Sequence, residues 1–146
     1  MNAKRLLEGA AFLENLQLTD KVRFDIRDWY LDWSKVKSTD PRQERSPAEG
    51  FCGTQACALG HLAFAGLWGL RVVEYVPGMF EVRTHDGRFD DFRAAKRVFD
   101  IDEHAAFWLF SPEGYDDDKA VTKEMVAARM RHLAAGGTPD TWKEAA

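Results

Sequence analysis

Between Ala56 and Leu67 the chain carries Ala56, Ala58, Leu59, Leu62, Ala63, Phe64, Ala65 and Leu67. Wound as a helix from about Thr54, this segment is apolar on nearly every side. A helix of that kind lies at the centre of a fold, because no face of it suits water. The rest of the chain must therefore wrap it. With ten Phe, five Trp and 45% hydrophobic residues in 146, there is material for one packed domain and no resemblance to a disordered chain.

Helical spacing recurs on both sides. Leu6, Leu7, Ala10, Leu13 and Leu16 recur at three- and four-residue steps, predicting an amphipathic helix over 3–16. Phe92, Ala95, Val98 and Phe99 share a second helical face. Asp102 is placed to cap a short helix carrying Ala105, Ala106, Trp108, Leu109 and Phe110, and Thr122 to cap one carrying Met125, Val126, Met130 and Leu133. Gly136-Gly137 stops the last helix, which predicts a domain over 1–137 and a loose tail over 138–146. Leu70–Val76, Pro77-Gly78 and Met79–Thr84 form a β-hairpin pattern, with Asp86-Gly87 as a further turn before a short strand near Phe89. Aromatic residues crowd the segment from Phe24 to Trp33, which fits a short helix or an extended arm. A polar loop over 34–50 follows. The expected fold is α+β and predominantly helical: a central buried helix with one small antiparallel hairpin or sheet.

Both cysteines and one of four histidines fall in Cys52-Gly53-Thr54-Gln55-Ala56-Cys57-Ala58-Leu59-Gly60-His61. Three uses of this cluster compete. As a nucleophilic set, Cys52 would be a thiolate near a helix N-terminus capped by Thr54, with His85 as base and Asp86 or Asp90 behind it. That matches the residue order of papain-like and transglutaminase-like folds, without papain's local signature. As a metal set, Cys52, Cys57 and His61 would hold zinc, with His85 or His104 completing a tetrahedron. The spacing is not that of a standard zinc finger or ribbon. As structure alone, Cys57 and His61 fill the core, the imidazole bonded to a backbone carbonyl or a carboxylate. This last use accounts for every residue without chemistry and is preferred; a Cys52–Cys57 disulfide is the remaining option.

The cluster also belongs to a wider pattern. Cys52-Gly53-Thr54, Ala56-Cys57 and Gly60-His61 come first, then Phe92, Ala95 and Phe99, then Leu109-Phe110-Ser111-Pro112 with Tyr115, and a last helix led by Thr122. Over roughly 24–135 this resembles a group of small bacterial and phage proteins with a C-G-T-x-x-C-x-x-G-H helix and a downstream L-F-x-P segment. That group has no assigned activity, so the resemblance implies a single cytoplasmic domain and carries over no site residue. Asp100 stands where the group often has glycine.

Charge and hydropathy bound the partners. A net charge of −4 provides no broad basic footprint for nucleic acid. No apolar run is long enough to span a membrane, and the N-terminus lacks the apolar core of a secretion signal, so a cytoplasmic protein is expected. Asp116-Asp117-Asp118 lacks the alternation of a calcium loop. No phosphate-binding, dinucleotide or hydrolase motif occurs. The sequence thus favours a non-enzymatic, regulatory or protein-binding role with no cofactor. A small cysteine-dependent hydrolase or transferase using Cys52 and His85 is the alternative.

Overall fold

The structure is a computed structural model and describes residues 1–36 and 53–143. Among the described residues five α-helices and five strands follow in the order α1 (Ala3–Asn15), β1 (Val22–Phe24), β2 (Tyr30–Asp32), β3 (Thr54–Ala56), α2 (Ala58–Phe64), β4 (Arg71–Val76), β5 (Met79–Arg83), α3 (Asp91–Phe99), α4 (Glu103–Phe110) and α5 (Lys123–Ala134). The fold is α+β with substantial helix. No described helix is long and apolar enough to cross a membrane.

The sheet is larger than the hairpin expected. Its order is β1-β3-β2-β5-β4, with β1 and β3 parallel and every other pair antiparallel. The β4–β5 hairpin turns at Pro77-Gly78, where Gly78 takes φ 81. The aromatic segment supplies β2, which joins this hairpin to β3 through Tyr30↔Phe80 and Leu31↔Gln55.

The predicted helix from Thr54 is therefore two elements. Thr54–Ala56 is a strand with neighbours on both sides, and the chain stays extended at Cys57 (φ −73, ψ 179) before α2 begins at Ala58. The cap is Cys57, whose sulfur accepts the Gly60 N–H at 3.5 Å; Thr54 plays no capping part. The helix is central all the same: every residue from Ala58 to Ala63 is buried. Its apolar circumference ends at Phe64, which is 64% exposed and stacks on Tyr30 with ring centroids 5.0 Å apart.

Around α2, the pair α1 and α5 closes one side of the core and α3 with α4 another. Leu6, Leu13, Leu59, Leu62, Phe99, Leu109, Phe110 and Met130 belong to one buried cluster. The close approach of α1 and α5 occurs at Gly9, where a Cβ would meet the Met130 methyl at 2.6 Å. Lys123 joins the same two helices electrostatically. Its ammonium donates to the carbonyls of Leu13 (2.8 Å) and Glu14 (3.1 Å), which satisfies the negative end of α1. Asp102 and Thr122 cap α4 and α5 as the sequence predicts, accepting from Ala105 N and Met125 N.

On the sheet face that carries Leu31, a second small cluster gathers Leu31, Trp33 and Val36 with Met79 against them. The stretch expected as a loose tail packs on the domain as far as Trp142. Pro139–Thr141 forms a 3-10 turn, and the Trp142 indole lies edge-on to both Trp108 and His132, with centroids 5.6 and 5.2 Å away.

Candidate functional site

Cys57 sits at the seam between β3 and α2 and is fully buried. Burial pushes its thiol up to about 12, against the opposing pull of the Gly60 and Leu59 backbone N–H groups. Such a sulfur is a protonated hydrophobe at neutral pH, with no nucleophilic fraction.

His61 is buried as well, and its partner is a backbone carbonyl. Nε2 lies 3.1 Å from Arg23 O, which only an Nε2–H tautomer can satisfy, and the ring stacks on Phe24 (6.2 Å, 11°). Burial holds its pKa below the ordinary imidazole value. Sulfur and imidazole thus each have a backbone partner of their own.

The remaining residues of the catalytic and metal sets are dispersed. His85 is exposed in the turn after β5, against Gly69. Asp86 closes that turn by accepting from Thr84 Oγ1 (2.7 Å) and Arg88 N (3.0 Å), contacts that hold its carboxyl below the usual range. It serves the backbone of the turn. His104 is exposed, with Nε2 3.6 Å from Asp140 Oδ1. Asp90 pairs with Arg93. Among the described residues no three His, Cys, Asp or Glu converge as metal ligands. Cys52, on which both the nucleophile and the zinc set depend, lies outside the described residues.

A different feature draws together segments far apart in sequence. A cleft of about 330 Å³ opens between the β1–β2 loop, the first turn of α3 and the end of α4. The loop contributes Ile26, Arg27 and Trp29. It is held by a turn in which Asp28 N bonds Asp25 O (3.3 Å) and the Arg27 guanidinium forks onto the Asp25 carboxylate (2.8 and 2.6 Å). Phe92 stands in the first turn of α3, edge-on to Trp29 at 4.9 Å. Phe107 lies 5.8 Å beyond Phe92 and leaves 44% of its surface in water. Phe110, one turn on, is buried and forms the floor with Pro112.

Two charged residues, Arg27 and Glu113, also line the cleft. Ser111 Oγ donates to the Glu113 carboxylate and holds it ionised, below its ordinary range. The result is an apolar slot walled by three aromatic rings, with fixed polar groups at its rim. That is the usual composition of a site that takes an apolar group and orients it.

The sequence puts Phe92, Phe110 and Pro112 in one pattern and Trp29 only within the aromatic Phe24–Trp33 segment, without placing them at one site, and passes over Phe107. One signal was available. Glu103–Phe110 is apolar on more faces than one core can use: Ala105, Ala106, Leu109 and Phe110 face inward, and Trp108 is covered by Trp142 and Arg129. Phe107 is left over, and a surplus aromatic on a short helix suggests a partner face. The chain matches no family model, no curated protein and no solved structure.

Proposed function

We propose that this protein is a non-enzymatic interaction module that takes an apolar side chain of a partner protein into the cleft between Trp29, Phe92 and Phe107. The observation that carries this is the cleft itself: three rings, with Phe92 against both Trp29 and Phe107 and the last nearly half exposed, around a slot of about 330 Å³. Aromatic residues in desolvated pockets dominate the energetics of protein interfaces. The bound side chain would gain ring contacts on three sides, and the paired Arg27–Asp25 and Ser111–Glu113 groups would meet its backbone without rearranging.

One further observation accords with this reading. The described half of the cysteine pair, Cys57, is sealed and protonated, which leaves it a packing role suited to a cytoplasmic protein.

Photo-crosslinking in the native host tests the proposal. With p-benzoylphenylalanine at position 107, a discrete adduct with another polypeptide is expected, and Phe92→Asp should abolish it. The same probe at position 125, exposed on α5, should leave the chain uncrosslinked. Absence of an adduct from position 107, or an adduct indifferent to Phe92→Asp, would overturn the assignment.

A further inference from the structure

Helix α3 carries more than the Phe92 wall. At about 100° per residue, Phe92 falls at one border of the exposed face, followed across it by Lys96, Arg93 and Arg97. Beyond Arg97 lies Phe89, whose ring has the Arg97 guanidinium 5.5 Å from its centroid and that of Arg88 at 6.0 Å. A second hollow of about 490 Å³ opens here, lined by Phe89, Arg93, Lys96, Arg97, Asp100 and Ile101.

Two of the acids nearby are already engaged. Asp90 binds Arg93 (2.7 Å), and Asp100 binds the N-terminal ammonium (2.8 Å). Among the described residues Arg88, Lys96 and Arg97 form no ion pair. A chain of net charge −4 thus holds three cations without ion pairs, Lys96 and Arg97 on α3 and Arg88 in the loop before it, beside the aromatic cleft.

We infer that this face recognises an acidic segment of the partner protein, continuous with the apolar residue seated in the cleft; the inference rests on the cleft being that seat. A carboxylate-bearing peptide fits the footprint better than nucleic acid does. The cationic run is short and flanked by Asp90, Asp100, Asp102 and Glu103, and the whole chain is acidic, so a long phosphodiester track would meet repulsion at both ends. Two or three carboxylates would each find a guanidinium or an ammonium. Arg88 and Arg97, braced on the Phe89 ring, present their forks with little loss of freedom.

Fluorescence anisotropy with labelled peptides separates the two surfaces. The probes are a neutral peptide, Gly-Ser-Trp-Ser-Gly, its extension by four Glu, and an eight-residue oligothymidylate. At 50 mM salt the acidic extension should tighten binding about fivefold to tenfold over the neutral peptide, the gain of two or three exposed charge pairs. The gain should vanish at 0.5 M NaCl and in Lys96→Glu/Arg97→Glu, with Lys96→Gln/Arg97→Gln as the milder pair should the reversal disturb folding. An acidic tail that adds nothing, a gain that survives both variant pairs, or tighter binding of the oligothymidylate would overturn the inference. Failure of the cleft reads out separately. Phe107→Glu would then leave the neutral peptide's affinity unchanged, whatever Lys96 and Arg97 do to the acidic one.

Discussion

The backbone carbonyl of Trp29 occupies the place where a side chain on residue 60 would begin. A Cβ built on Gly60 falls well inside contact distance of Trp29 O, and 3.0 Å from the Ala56 methyl. The β1–β2 loop that supplies the Trp29 wall therefore rests directly on the backbone of α2. Fold and cleft are tied at this point.

Gly60→Ala should accordingly destabilise the protein by about 3 kcal/mol, because the obstacle is backbone and no rotamer relieves it. Gly66→Ala is the comparison. Gly66 is at φ 74 with nothing within 4 Å, so only the left-handed conformation is penalised, at about 1 kcal/mol. Urea denaturation of both variants checks the contrast; equal losses would mean that the loop moves aside freely.

Much of the helical framework was legible because its signals are local. Asp102 and Thr122 announce α4 and α5 through a cap that each side chain in fact makes, and Pro77-Gly78 announces its hairpin through a turn only certain residues favour. The split of Thr54–Phe64 was not legible in the same way. A three-residue strand paired on both sides has no alternation to display, and Thr54-Gln55-Ala56 runs without glycine, proline or a charge into α2. Gln55 is the one hint, buried with its amide on the Asp28 carboxylate (2.6 Å) inside an otherwise apolar stretch. The cleft is harder still. Its walls come from positions 26–29, 92 and 107–113, and only the folded topology brings those together.

Asp91 predicts a pH dependence. It stands at φ 46 at the start of α3, its carboxylate accepting Val82 N at 3.0 Å. Burial, with Asp90 and Glu81 adding to it, raises its pKa to about 6, against the partial compensation of Val82 N–H and Arg83. The folded state therefore keeps a proton that the unfolded chain releases near pH 4. Stability from this group is fully present below about pH 4 and falls as pH rises to about 6. Asp91→Asn keeps the acceptor, tolerates the positive φ and removes the charge. It should stabilise by about 1 kcal/mol at pH 7, a figure reduced for the solvent that reaches the site. Denaturant melts between pH 4 and 7 should show a flatter profile for the variant; an unchanged slope would locate the titration elsewhere.

Arg129 anchors α5 to the end of α4 through geometry that lysine cannot copy. Its guanidinium lies between the rings of Tyr115 (3.7 Å) and Trp108 (4.5 Å), and donates to the carbonyls of Trp108 (2.8 Å) and Gly114 (2.7 Å). Only a planar fork stacks and donates in plane at once. Arg129→Lys should cost about 2 kcal/mol, with the Trp108–Trp142 contact loosening alongside. Tryptophan fluorescence during thermal melting reads both effects. A variant with wild-type stability would show that charge alone suffices there.

The sealed thiol makes the last prediction. In Cys52→Ala the only sulfhydryl left is Cys57, which is fully buried and pushed up to about 12. Iodoacetamide at pH 8 should leave the native variant unlabelled over hours and label it stoichiometrically in urea, since the thiolate forms only where water reaches the sulfur. Its labelling rate in mild denaturant should follow global unfolding, because Cys57 caps α2 inside the core and no lesser opening exposes it. Labelling of the native variant at the rate of a free cysteine would contradict the buried position, and with it the packing role given to this sulfur.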